Sequence, residues 1–120
     1  MVGAVAVIPD GKYAVSASRD RTLKIWNLEK GKQKTALRGY EKEVNKVIIT
    51  QDGKYAISVS SDDTLKVWSL EQGVIISKFI GDSSFRTCDI SPDGKYIVVD
   101  DALGKVHFYI LTSQIRYLNK

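Results

Sequence analysis

The tetrapeptide Asp-Gly-Lys-Tyr begins at residues 10, 52 and 93, spacings of 42 and 41 residues. Each occurrence heads a stretch of one design: DGKYAVSASRDRTLKIWNL from Asp10 to Leu28, DGKYAISVSSDDTLKVWSL from Asp52 to Leu70, and a divergent DGKYIVVDDALGKVHFYIL from Asp93 to Leu111. Self-similarity at a period of about 40–45 residues means that one supersecondary unit is reused, each copy relying on its neighbours to cover its apolar faces. The chain divides into repeats at 1–40, 41–81 and 82–120.

Each repeat reads as four short strands. In the first, Val2, Val5 and Val7 mark an apolar strand that stops at Pro9-Asp10-Gly11, where proline fixes φ, aspartate bonds the turn backbone and glycine accepts φ > 0. Tyr13–Ser18 forms the second strand, Arg19-Asp20-Arg21 a tight turn, Thr22–Leu28 the third strand and Gln33–Leu37 a polar fourth. Val44, Val47 and Ile49 open the second repeat, and Phe85, Cys88 and Ile90 the third, whose tail at 114–118 is long enough for a last outer strand. No stretch carries the 3.6-residue apolar spacing of a helix. The neighbouring sets Tyr55/Ile57/Val59 and Ala56/Ser58/Ser60 give the second strand two faces to bury, so each sheet needs a sheet on either side. The predicted fold is all-β: three four-stranded antiparallel sheets packed radially as blades of a β-propeller.

Composition narrows the setting. With 43% hydrophobic and 27% charged residues the chain has the balance of a globular domain. No apolar run approaches the roughly 20 residues of a membrane span, and MVGAVAVIPDGKY lacks the basic leader of a signal peptide. The single cysteine, Cys88, allows no intrachain disulfide, which fits the cytoplasm. The net charge of +4 is concentrated in residues 1–40, with eight Lys/Arg against three Asp/Glu. Those charges are scattered singly and without interleaved aromatics, which argues against nucleic-acid binding.

The apolar first strand, the Pro-Asp-Gly turn, the Ser-x-Ser strand, the turn aspartate and the Thr-Leu-Lys-Val-Trp ending together resemble the WD40-repeat family, over essentially the whole chain. The third repeat is similar to the closing repeat of bacterial multi-repeat WD40 arrays. The resemblance implies a hydrogen-bonded network in each blade, carried here by Ser16, Asp20 and Trp26 and by Ser58, Asp62 and Trp68. It also implies a histidine after a glycine, but Gly39 precedes Tyr40 and Gly81 precedes Asp82, so neither network is expected to be complete in the usual form. In the third repeat Tyr109 stands at the Trp place and Leu103 where the Asp would be.

Catalytic chemistry finds no foothold. His107, the only histidine, occupies the place of Lys24 and Lys66, read as a solvent-tolerant strand position, and no converging ligands suggest a metal. Cys88, equivalent to Val5 and Val47, reads as a small buried hydrophobe, and Asp62-Asp63 and Asp100-Asp101 as turn carboxylates. No enzyme activity and no cofactor are expected. The resemblance implies a protein-interaction scaffold, its binding rim falling at Arg19, Glu43, Asn45, Ser61, Ser84 and Arg86. The alternatives are a propeller with an enzymatic or ligand site at its central channel, or a degenerate remnant of a larger WD40 signalling protein. Because propellers close with about 4–8 blades, three blades imply an open arc, a fragment of a longer chain, or a ring completed by oligomerisation, with two copies giving six blades.

Overall fold

A computed structural model of the chain describes residues 2–18, 20–111 and 115–117, and all of its regular structure is strand. The first sheet holds β1 (Val2–Val7), β2 (Tyr13–Ser18), β3 (Leu23–Asn27) and β4 (Lys32–Leu37). The second holds β5 (Val44–Ile49), β6 (Tyr55–Ser60), β7 (Thr64–Ser69) and β8 (Val74–Ile80). The third holds β9 (Phe85–Ile90), β10 (Tyr96–Asp101), β11 (Val106–Leu111) and β12 (Ile115–Tyr117). In every sheet the strands lie in chain order, each pairing antiparallel with the next. These are the three blades read from the repeats.

Two turns explain the repeated residues. After the first strand of each blade, Gly11, Gly53 and Gly94 donate their N–H to Ile8, Thr50 and Ser91 O, each at 2.8 Å. The aspartate before each glycine takes the amide of the lysine after it: Lys12 N to Asp10 Oδ1 at 2.8 Å, Lys54 N to Asp52 Oδ1 at 3.0 Å, and Lys95 N to Asp93 Oδ1 at 3.0 Å. The Asp-Gly-Lys triplet is thus a self-capped turn. Between the second and third strands, one position takes left-handed backbone in all three blades: Arg21 at φ 71°, Asp63 at 70° and Gly104 at 82°. Glycine adopts that conformation freely and aspartate tolerates it, whereas arginine has no such licence.

Packing follows from two-sided burial. β7 is buried at every residue, and β6 at every residue after Tyr55. One face of the middle blade closes on the first blade, where Val15, Ala17, Leu23 and Ile25 meet Val44, Val47, Ala56 and Trp68. The other face, with Ile57, Val59, Leu65 and Val67, meets Phe85, Cys88, Ile97, Val99 and Tyr109 of the third. The innermost strands β1, β5 and β9 run side by side, so the blades fan out as an arc of 45 × 29 × 20 Å. Among the described residues nothing covers the outer faces of the end blades, where Val5, Val7, Val98, Val106 and Phe108 are exposed.

Replacing Arg21 with glycine should relieve the left-handed strain and raise stability by about 1 kcal/mol. Urea unfolding followed by circular dichroism measures this, and an unchanged midpoint would show that the turn stores no such strain.

Candidate functional site

In the second blade Ser58 and Trp68 are joined through Tyr40, a residue to which the sequence reading gave no role. Tyr40, crossing from the first blade, lies between the sheets with its hydroxyl hydrogen-bonded to Ser58 Oγ and accepting the Trp68 indole N–H at 2.5 Å. The rings of Tyr40 and Trp68 are 5.7 Å apart and tilted by 38°. A phenol reaches where an imidazole was expected and can both donate and accept. Without a histidine after Gly39 the arrangement takes another form, in which Tyr40 links Ser58 and Trp68. Burial pushes the Tyr40 phenol up, further than its bonds to Ser58 and Trp68 bring it down, so it stays a neutral hydroxyl.

Asp62 joins from the turn. It accepts from the Thr64 hydroxyl, from Thr64 N at 3.1 Å and from Glu41 N at 3.2 Å, and pairs with Lys66 Nζ at 3.5 Å. The Lys66 ammonium also donates to Gly39 O and sits 4.0 Å from the centre of the Tyr40 ring, a cation–π contact. Lys66 is only 2% exposed, so its position does not tolerate solvent as the sequence suggested; the blade next to it covers it. Burial is the largest influence on the Asp62 carboxyl and pushes it up. The Thr64 hydroxyl, the Glu41 amide and Lys66 outweigh that, leaving it below the ordinary range. For Lys66, burial pushes the ammonium down against the pull of Asp62.

The first blade repeats the pattern on an uncovered face. Trp26 Nε1 donates directly to Ser16 Oγ at 2.9 Å, Thr22 Oγ1 to Asp20 Oδ1 at 2.5 Å, and Lys24 pairs with Asp20 at 2.8 Å. The third blade substitutes a different pair. Asp101, two places before Leu103 and only 2% exposed, accepts the amides of Leu103 and Lys105, each at 2.9 Å, and its Oδ2 lies 2.8 Å from His107 Nε2. Phe85 meets the His107 ring edge to face at 5.5 Å. The reading of His107 as solvent-tolerant is thereby corrected: at the Lys66 position it serves a buried carboxylate that has moved from the turn to the end of β10.

At the loop edge of the second and third blades, Asn45 Nδ2 donates to Ser61 Oγ at 3.0 Å and to Phe85 O at 2.8 Å, and Ser84 Oγ donates to Ser61 O at 3.1 Å. Glu43 and Arg86 are exposed beside this chain of bonds. The fold thus brings together Asn45, Ser61 and Ser84, with Glu43 and Arg86 flanking; Arg19 lies outside the described residues. Nearer the inner strands is an open hollow of about 470 Å³ touched by Lys46, Cys88 and Asp89. Cys88 is buried, and desolvation pushes its thiol up to about 12, which leaves a packing residue and no nucleophile. Among the described residues no group of three or more His, Cys, Asp or Glu side chains could hold a metal ion.

Three four-stranded blades with side-by-side inner strands and shared faces define a segment of a β-propeller. The family model described as WD domain, G-beta repeat matches residues 2–27 and 31–69, so the chain belongs to the WD40-repeat family. The second match starts beside β4 and ends with β7, running across the junction that Tyr40 bridges. No curated protein matches the chain. WD40 repeats generally mediate protein–protein interaction, and the family is typically non-catalytic.

Tyr40→Phe should cost about 1–3 kcal/mol, because it leaves a buried indole N–H and the Ser58 hydroxyl without their shared partner. Tyr40→His should lose less, since the imidazole can take over the bond. A Tyr40→Phe unfolding midpoint equal to that of the parent protein would remove Tyr40 from the network. Acid should weaken the fold through Asp62 and Asp101, the latter held below the ordinary range chiefly by His107, against the effect of burial. Both folded values lie below the unfolded carboxylate value of about 3.9, so the stabilisation is complete above it and fades as the pH falls through the depressed values. Urea titrations from neutral pH to pH 3 should show a shallower acid loss in Asp101→Asn than in the parent; equal slopes would mean that this carboxylate is not stabilising.

Proposed function

We propose that this chain is a non-catalytic protein-interaction scaffold whose loop edge, at Glu43, Asn45, Ser61, Ser84 and Arg86, is the docking rim. One observation carries the reading: Asn45, Ser61, Ser84 and Phe85 O form a hydrogen-bonded belt across two blades. Such a belt fixes the loops, so an anionic and a cationic side chain are presented on a preorganised base with little ordering cost on binding. Glu43 and Arg86 supply charge that differs from blade to blade, which suits a specific protein surface. Further blades, from a second copy or from a longer chain, complete the ring around this rim. Placement in the cytoplasm belongs to the same reading and rests on the single thiol, Cys88.

The test is affinity capture from a native lysate on the immobilised chain, compared with a Glu43→Lys/Arg86→Glu double variant. Proteins retained by the parent should be lost by the variant while circular dichroism stays unchanged. Identical retention by both would overturn the rim assignment.

A further inference from the structure

The two crossings between blades use equivalent positions differently. At the first, Gly39-Tyr40 leads toward β5, and the Tyr40 ring lies between the sheets, tilted on Trp68 and 4.0 Å from the Lys66 ammonium. At the second, Gly81-Asp82 leads toward β9, and His107 and Tyr109 hold the register positions of Lys66 and Trp68. Asp82 is exposed and brings no ring. A hollow of about 220 Å³ lies at this crossing, touched by Phe79, Gly81, Asp82, Phe85, His107 and Tyr109. It sits between two neighbouring blades of the chain itself.

We propose that this hollow binds a small arylalkylamine, an aromatic ring joined through a short chain to an ammonium group. The ring is argued from the first crossing, where the chain places a ring of its own between the sheets at the equivalent point. The walls suit one. Phe79 and Tyr109 have ring centroids 4.8 Å apart at a tilt of 56°, and Phe85 meets His107 edge to face at 5.5 Å. Aromatic rings add favourably to such tilted sets. Phe85 takes the register place of Val44, and its ring stands so close to Gly81 that a Cβ there would fall 2.6 Å from Cζ. That wall is therefore fixed by a residue without a side chain. An apolar cavity of about 150 Å³ holds a benzene ring, so this hollow is large enough for a ring and the start of a chain.

The ammonium is argued from the mouth. A ring seated as Tyr40 is seated would direct its substituent toward the backbone position from which the Tyr40 side chain springs. At the second crossing that position is Asp82, an exposed carboxylate. The other charged group of the lining, His107, has its Nε2 2.8 Å from Asp101 Oδ2 and serves that buried carboxylate. Asp82 thus sets the charge that an entering ligand meets, and it favours a cation. The hollow takes the apolar end and the carboxylate takes the polar one, the usual division of labour in a small-molecule site.

The experiment is a nuclear magnetic resonance titration of the full chain with phenethylamine and, separately, with phenylacetate, which has the same ring and the opposite charge. Phenethylamine at millimolar concentration should give saturable shifts, with ligand contacts to the rings of Phe85, His107 and Tyr109. Phenylacetate should bind about fivefold more weakly, the scale of an exposed ion pair. In Asp82→Asn that preference should disappear while binding of the ring persists. Asp82 is exposed, so the substitution leaves the packing intact, and circular dichroism checks the fold. No saturable change, contacts to other parts of the chain, equal affinity for the two ligands, or an unchanged preference in Asp82→Asn would each overturn the proposal.

Discussion

The structure depends on the burial of the middle sheet on both faces. A single repeat of this kind, apolar on both faces of its sheet, cannot bury those faces by itself. β6 and β7 escape that limit because the first blade covers one side and the third covers the other. Stability in such an array is a sum of neighbour contacts more than of internal ones. Each end blade is then a half-completed version of the middle one, which is why equivalent residues differ so much in exposure: Val47 is buried while Val5 is open, and Ile57 is buried while Val98 is not.

Covering a face also changes what polar residues can do there. Lys24 and Lys66 occupy the same register position, and each pairs with the turn aspartate four residues before it. On the open first blade that pair is partly solvated and contributes little. Between two sheets, the Lys66 ammonium loses its water and needs several compensations at once: Asp62, the carbonyl of Gly39 and the face of the Tyr40 ring. Tyr40 serves this site and the Trp68 indole together, so one residue from the inter-blade crossing ties two sheets into a single hydrogen-bonded unit. The third blade reaches the same end by another route, in which Asp101 and His107 share a bond and the turn amides of Leu103 and Lys105 complete the carboxylate's shell.

Much of this was legible in the residues. The Asp-Gly-Lys turns, the alternation of strand faces and the 41–42-residue period depend on interactions within a few positions, and the strands fall where those signals put them. In the structure Trp26 donates to Ser16, and Trp68 and Ser58 share Tyr40 as their partner. Two readings failed for one reason. Lys66 and His107 look like surface residues because strand patterning assigns charge to solvent, and only the sheet across the interface reverses that assignment. Tyr40 was passed over because histidine was sought at its place; the usable signal was a lone aromatic directly after Gly39, where the chain crosses from the first blade to the second.

By itself, the sequence determined the number of repeats, the order of strands in each and which residues of a strand share a face, because these follow from local turn chemistry and a period of two along each strand. Tertiary structure alone decided which faces are covered and what covering does to them: that Tyr40 joins Ser58 to Trp68, that Lys66 is buried with three partners while Lys24 remains near water, and that Asp101, with His107, supplies a buried carboxylate in the third blade. The physical reason is that burial and hydrogen-bond satisfaction belong to pairs of sheets brought together in space, and no single repeat contains both halves of an interface.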